Sequence, residues 1–148
     1  MDANGPTPAR RGGKYLALRI AREEFAIDAR LVRGILRIRE CDVVPEPSSG
    51  LVQYFGPWIC GFATLRGADI PVIDLGAKLR LPHAKRPRNG CIVVIEAKTP
   101  EGPRMVGFLA DRVARVMDVR ERDLVGGKVR IQGRFRRLIQ PEMLTGNQ

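Results

Sequence analysis

The sequence predicts an all-β chain, folded as one small barrel or a pair of them with only short helices. Three observations carry that expectation. Short alternating or wholly apolar runs recur along the 148 residues, about eight to ten in number. Turns drawn from 16 glycines and 11 prolines separate them, and the spacing leaves no room for a long helix. A chain of this length holds one compact domain, or two very small ones that share a core. Hydrophobic residues at 44% and charged residues at 28% are ordinary globular proportions, so enough apolar surface is present to fold.

Residues 1–14 hold three glycines, two prolines and Arg10-Arg11 without apolar periodicity, which predicts a mobile basic tail. Tyr15, Ala17 and Arg19 then alternate with Leu16, Leu18 and Ile20, and Arg22-Glu23-Glu24 is expected to turn the chain into Phe25-Ala26-Ile27 as a hairpin. Asp28 is a natural cap for a short helix over Ala29 to Arg33, with Gly34 as its stop. Ile35, Leu36 and Ile38 predict a strand, and Val43-Val44 leads into a loop marked by Pro45, Pro47, Ser48, Ser49 and Gly50. The run from Leu51 to Pro57 has no clear period.

Trp58 to Leu65 predicts a strand, Arg66-Gly67-Ala68-Asp69 a turn, and Ile70 to Ile73 the return strand. Pro71 cannot donate to a ladder, so that strand is expected at an edge or beside a bulge. Asp74 is placed to cap a helical turn ending near Leu79, and His83 to Gly90 reads as a basic loop. Cys91-Ile92-Val93-Val94-Ile95 is apolar throughout, as expected for a strand buried on both faces. Pro100-Glu101-Gly102-Pro103 turns the chain into Met105 to Leu109, and Val113 to Val119, Val129 to Ile131 and Phe135 to Ile139 complete the strands.

Signals for catalysis are weak. His83 stands in a Pro-rich basic loop with no serine or cysteine near it in sequence, and reads as a solvated loop residue. Asp69, Asp74, Asp111, Asp118 and Asp123 mostly follow strand ends, where aspartate caps or turns. Gly126-Gly127-Lys128 is similar to part of a phosphate loop, but Val129 stands where Ser or Thr would be needed. The three cysteines Cys41, Cys60 and Cys91 form no Cys-x-x-Cys pair and read as buried thiols. No catalytic residue, metal site or cofactor is therefore expected. No stretch approaches the roughly 18 apolar residues of a membrane span, and the N-terminus carries no apolar leader segment, so a cytoplasmic protein is expected.

The formal charge is +10, from 26 Lys and Arg against 16 Asp and Glu. Such an excess favours an anionic partner. Much of it clusters at Lys78, Arg80, Lys85, Arg86 and Arg88, and at Arg130, Arg134, Arg136 and Arg137. A basic β-barrel that binds nucleic acid is thus an alternative reading. Against it, only eight aromatic residues are present, with Phe135 alone inside the C-terminal basic run, so a stacking platform is poorly supplied.

Four segments, Glu23-Glu24-Phe25-Ala26-Ile27-Asp28, Leu31-Val32-x-x-Ile35, Thr64-Leu65-Arg66-Gly67 and Ile70-Pro71-Val72-Ile73-Asp74-Leu75, resemble in order and spacing the pattern of the CheW family of chemotaxis coupling proteins. Val106-Gly107-Phe108-Leu109-Ala110-Asp111-Arg112-Val113 is similar to a later segment of the same pattern, so the resemblance covers roughly residues 15 to 120 and more weakly the rest. It implies two intertwined SH3-like β-barrels over residues 15–140, with a boundary near residues 78–90, a tail over 141–148 and a binding groove between the barrels. It also implies a scaffold: the groove holds the cytoplasmic tip of a chemoreceptor while other surfaces engage a CheA-type histidine kinase, with no small-molecule substrate. Matched by motif, Val32, Ile35, Arg66, Gly107 and Val113 correspond to groove positions, and Val93 or Val94 lies on the strand that lines it. Read without the family, Val32, Val94 and Val113 are ordinary core candidates. Arg66 is the better functional candidate, because a tight turn presents it to solvent.

Four departures stand beside the matches. Gly34 replaces the usual glutamate of the family motif, and Thr64 the usual asparagine. The stretch from Glu40 to Trp58 is longer than usual, and that from Asp118 to Gly146 shorter. The resemblance with these departures implies an auxiliary member, of the kind found in gliding-motility (Frz-type) systems, that binds receptor at receptor clusters but docks the kinase poorly.

Overall fold

The computed structural model describes residues 11–38, 55–84 and 89–145. Expectations for residues 1–10, for Cys41, Val43-Val44 and the loop through Gly50, for Leu51 to Tyr54, for Lys85, Arg86 and Arg88, and for residues 146–148 lie outside the described residues. Among the described residues there are eleven strands and one short α-helix.

The chain begins with β1 (Gly13–Ile20) and β2 (Glu23–Asp28), paired antiparallel with Ile20 opposite Glu23. The turn is therefore Ala21-Arg22, earlier than expected, and both residues have positive φ, at 50° and 70°. That is the two-residue turn whose twist matches a hairpin, and it leaves Glu23 and Glu24 free to join β2. Asp28 caps as expected, accepting a hydrogen bond from the Arg30 amide, but over a single 3-10 turn at Ala29–Leu31. The helix does not run to Arg33, and Gly34 does not stop it, because the chain is already extended in β3 (Val32–Arg37). Pairing of β3 with the buried run Ile92 to Ile95 outweighs the local helix signal. A register shift between Val32 and Gly34 marks a bulge in β3.

After a 3-10 turn at Gly56–Trp58 come β4 (Ile59–Leu65) and β5 (Ala68–Ile73), joined by Arg66-Gly67 alone, with φ of 53° and 83°. Asp74 caps α1 (Leu75–Lys78) through the Ala77 amide, as expected. The hairpin β6 (Cys91–Thr99) and β7 (Gly102–Ala110) follows, then β8 (Arg112–Val119), β9 (Leu124–Val125), β10 (Lys128–Ile131) and β11 (Arg134–Ile139).

One sheet has the order β8-β1-β2-β11-β10-β9 and the other β3-β6-β7-β5-β4. Pro71 thus lies on an inner strand, not at an edge, but beside a bulge as expected: the pairing of β4 with β5 shifts register between Ile59 and Gly61, and Gly61 faces Val72, the residue after Pro71. The ladder from β5 to β7 starts at Val72, one residue later, so the missing N–H of Pro71 is not called on from that side. The chain changes sheet between β2 and β3 and again between β7 and β8. The expected division near residues 78–90 falls inside the second sheet, whose five strands are inserted between β2 and β8.

Three apolar clusters explain why the sheets curl. The largest joins them, with Leu16, Leu18, Phe25 and Ile27 of the first sheet packed with Val93, Ile95, Val106 and Phe108 of the second. Tyr15, Ala26, Val119, Val129, Ile131 and Leu138 fill the inside of the first sheet. Ala63, Ile70, Val72, Ile92, Val94 and Leu109 fill the inside of the second. Successive side chains of a strand point to opposite faces, so each sheet closes on a small core of its own and shares the large one, as a pair of SH3-like barrels does. The C-terminal residues are part of this packing. Leu144 is fully buried in the shared core, and Lys78 Nζ donates to the Thr145 carbonyl at 2.9 Å.

Candidate partner-binding groove

The second barrel closes where its two terminal strands meet. A Cβ added at Gly34 of β3 would stand 3.3 Å from Leu65 Cδ2 of β4, so the bare glycine lets Leu65 lie against β3. Leu65 directly precedes the Arg66-Gly67 turn, which places that turn beside the edge strand carrying Val32 and Ile35. Arg66 is exposed and sits in the left-handed region, where an ordinary residue costs about 1 kcal/mol. Among the described residues it has no hydrogen-bond or ion-pair partner. Beside it, Thr64 Oγ1 donates to Asp69 Oδ1 at 3.1 Å and braces the hairpin.

The bulge in β3 matters for Val32 and Ile35. Residues three apart on a regular strand point to opposite faces, yet here Val32 opposes Ile95 and Ile35 opposes Val93, and both of these partners face the shared core. Val32 is partly buried against that core, whereas Ile35 is 45% exposed. Val113 of β8, opposite Leu18, is likewise partly buried on it. Val32 and Val113 therefore lie at the margin of the shared core, each on the terminal strand of its own sheet.

The remaining expected residues are interior. Val93 and Val94 are 0% exposed, the first facing the shared core and the second the core of its own barrel. Neither offers surface to a partner. Gly107 is buried directly between Val94 and Val72 in the sheet. Its glycine is demanded by packing, since a Cβ there would meet Ile92 Cγ2 at 2.6 Å. The structure thus brings the Arg66 hairpin against β3, the strand of Val32 and Ile35, through Leu65 and Gly34, and buries Val93, Val94 and Gly107 as support.

The carboxylates are committed elsewhere. Asp74 caps α1, Asp111 Oδ2 accepts from the Ala21 amide at 3.0 Å, Asp118 pairs with Lys14 at 2.7 Å, and Asp123 accepts from the Arg120 amide at 3.1 Å. Among the described residues no group of three or more His, Cys, Asp or Glu gathers to hold a metal ion. Gly126-Gly127 is the turn between β9 and β10, and Lys128 belongs to the strand. Among the described residues no helix is long and apolar enough to cross a membrane. The basic C-terminal strand is divided: Arg134 and Arg136 reach Glu24 at 3.1 and 3.8 Å, while Arg137 pairs with Glu23 at 3.7 Å and lies over the Phe25 ring. Alternation along β11 keeps these arginines from forming one continuous basic stripe.

Sequence reading missed a clasp built on Asp28, which is 1% exposed. Arg30 forks onto it with Nε and Nη2 both at 2.8 Å, and Nη2 also donates to the Gly12 carbonyl at 3.0 Å. Tyr15, completely buried, donates its hydroxyl to the Arg11 carbonyl at 2.6 Å. Burial and the Asp28 carboxylate push the Tyr15 phenol up. The spacing Asp28-x-Arg30 is visible in the sequence, but its closure on residues 11–12 depends on β1 lying beside β2.

The CheW-like domain family matches residues 14–148. A chemotaxis protein CheW of Rhizobium meliloti is 27% identical over 113 residues, covering 76% of this chain and 65% of its own length. A chemotaxis protein CheW of Bacillus subtilis is 29% identical over the same shares. The chain thus spans about two thirds of the length of these curated relatives. The crystal structure of the scaffolding protein TtCheW from Thermoanaerobacter tengcongensis superposes with a TM-score of 0.70 at 19% identity, covering 87% of this chain and 89% of that one. With eleven strands in two curled sheets among the described residues and a family match over nearly its whole length, this chain belongs to the CheW-like domain family.

Proposed function

We propose that this chain is a non-enzymatic adaptor of chemotaxis-type signalling, coupling the cytoplasmic tip of a chemoreceptor to a CheA-type histidine kinase. Its place is the cytoplasm, at receptor clusters. The observation that carries this reading is Arg66, exposed on a strained two-residue turn with no partner among the described residues, on the hairpin whose Leu65 lies against Gly34 of β3, the strand that also carries exposed Ile35 and half-buried Val32. A guanidinium beside an apolar edge suits a helical hairpin that offers carboxylates next to an apolar stripe. Val113 at the margin of the shared core extends the apolar contact, and buried Val93, Val94 and Gly107 keep the supporting strands in register.

A finer reading rests on Gly34, where the family motif carries glutamate. The chain binds receptor but docks the kinase poorly, as an auxiliary adaptor of a gliding-motility system would. Small contacts of this kind gain strength through clustering. The test is binding of the purified chain to the cytoplasmic domain of a receptor encoded beside it, with and without the kinase. Receptor binding weakened by Arg66→Asn supports the adaptor. A normal, saturable ternary complex with kinase refutes the auxiliary form. No receptor binding at any salt concentration refutes the adaptor reading itself.

A further inference from the structure

Four arginines and one glutamate meet at one end of the first sheet. Arg19 of β1 stands directly opposite Glu24 of β2 on one side and Arg112 of β8 on the other, and directly opposed residues share a face of the sheet. The Glu24 carboxylate takes Arg19 at 3.5 Å, Arg134 at 3.1 Å and Arg136 at 3.8 Å. The nearby Asp111 carboxylate is engaged by the Ala21 amide, and Glu23 pairs with Arg137. Three of these guanidinium groups therefore share the single Glu24 carboxylate, and Arg112 stands across from Arg19.

Two features of this cluster work against the fold. Like charges directly across a ladder weaken it, and Arg19 faces Arg112. The Arg136 side chain is only 16% exposed, and its Nε–H is buried with no hydrogen-bond partner among the described residues, although buried donors are normally satisfied. Arg112 also lacks a hydrogen-bond or ion-pair partner among the described residues. An entering anion with two or more oxygens would relieve the repulsion between Arg19 and Arg112 and use the exposed Arg112 donors, because the planar guanidinium fork fits carboxylate and phosphate alike.

We propose that this end of the first barrel is a binding site for a compact oxyanion, either phosphate or the carboxylates of an acidic protein segment, held by Arg19, Arg112 and Arg134 with Arg136 as the less exposed fourth group. The site shares no residue with the receptor-binding surface and stands whether or not that reading holds.

The full chain is titrated at constant ionic strength with inorganic phosphate in one arm and a short Asp/Glu-rich peptide in the other. Backbone amides and arginine Nε–Hε signals are followed by NMR. Saturable shifts confined to Arg19, Arg112, Arg134, Arg136 and their neighbours are expected, and the arm that produces them identifies the source. Arg112→Gln weakens this binding about tenfold, the loss expected for one charged hydrogen bond, and Arg112→Lys restores only part of it. Without anion, Arg112→Gln melts at or above the wild-type temperature, so lost binding is not lost folding. Shifts that fail to saturate in both arms, or a titration unchanged by Arg112→Gln, overturn the proposal.

Discussion

Replacing Gly107 with alanine should damage the fold and leave any partner contact untouched. The new Cβ would stand 2.6 Å from Ile92 Cγ2, against an optimum of about 3.5–4.0 Å between carbons. Ile92 is 0% exposed, and its methyl branches from Cβ, so it cannot swing aside without leaving its rotamer. Overpacking of this kind costs about 1–3 kcal/mol. Alanine in a strand recovers roughly 0.5–1 kcal/mol over glycine. The net loss is about 1–2 kcal/mol, or a fall in melting temperature of about 3–6 °C for a chain of this size. Circular dichroism melts of wild type, Gly107→Ala, Ile92→Ala and the double variant form the cycle. Ile92→Ala alone costs about 2–5 kcal/mol, and the double variant should cost clearly less than the sum, because the added methyl gains the space it lacked. A Gly107→Ala protein that melts at or above wild type, or a strictly additive cycle, would refute the reasoning. Receptor binding measured well below the melting range should be unchanged.

Arg66→Asn keeps the positive φ that the turn demands and removes the guanidinium. Stability should hold or rise by up to about 1 kcal/mol, while receptor affinity measured by calorimetry falls about tenfold; unchanged affinity would remove Arg66 from the contact. Asp28→Ala breaks the fork to Arg30 and the cap of the following turn, with Arg30 itself 40% exposed. Its urea midpoint should drop by the equivalent of about 2 kcal/mol, and an unmoved midpoint would mean that the fork contributes nothing net. Tyr15 holds its proton above the ordinary value of 10.0 because burial and Asp28 disfavour the phenolate. The unfolded chain releases that proton first, so stability is intact below about pH 10 and declines as pH rises further. Urea midpoints between pH 8 and 11 should show this decline, and Tyr15→Phe should flatten it; an identical slope in both proteins would rule out Tyr15 as its source.

Much of the fold was legible in residue order. The apolar run Cys91 to Ile95 reads as a doubly covered strand because no position in it tolerates water, and Ile92 to Ile95 are completely buried. Asp28 and Asp74 read as caps and act as caps. The errors share a cause. Ala29 to Arg33 carried a local helix signal, but Val32 to Arg37 was claimed by β6, and of the two places expected for Pro71, an edge or the flank of a bulge, the edge was ruled out by β7 covering β5. Both outcomes depend on strands distant in sequence.

The candidate site was legible to the same extent. Arg66 could be singled out because a turn with glycine at its second position exposes the residue before it, whatever the sheet does. Family motif, strand content and turn chemistry are local properties, and the sequence by itself determined them. Which face each valine serves was decided only by the tertiary structure. Val93 and Val94 are adjacent and equally apolar, yet one packs between the barrels and the other inside one of them. Side chains alternate along a strand, and an apolar run says that both faces are covered without saying by what. Glu24 likewise became the centre of an arginine cluster only when β8, β1, β2 and β11 came side by side, because strand order is a property of the folded sheet.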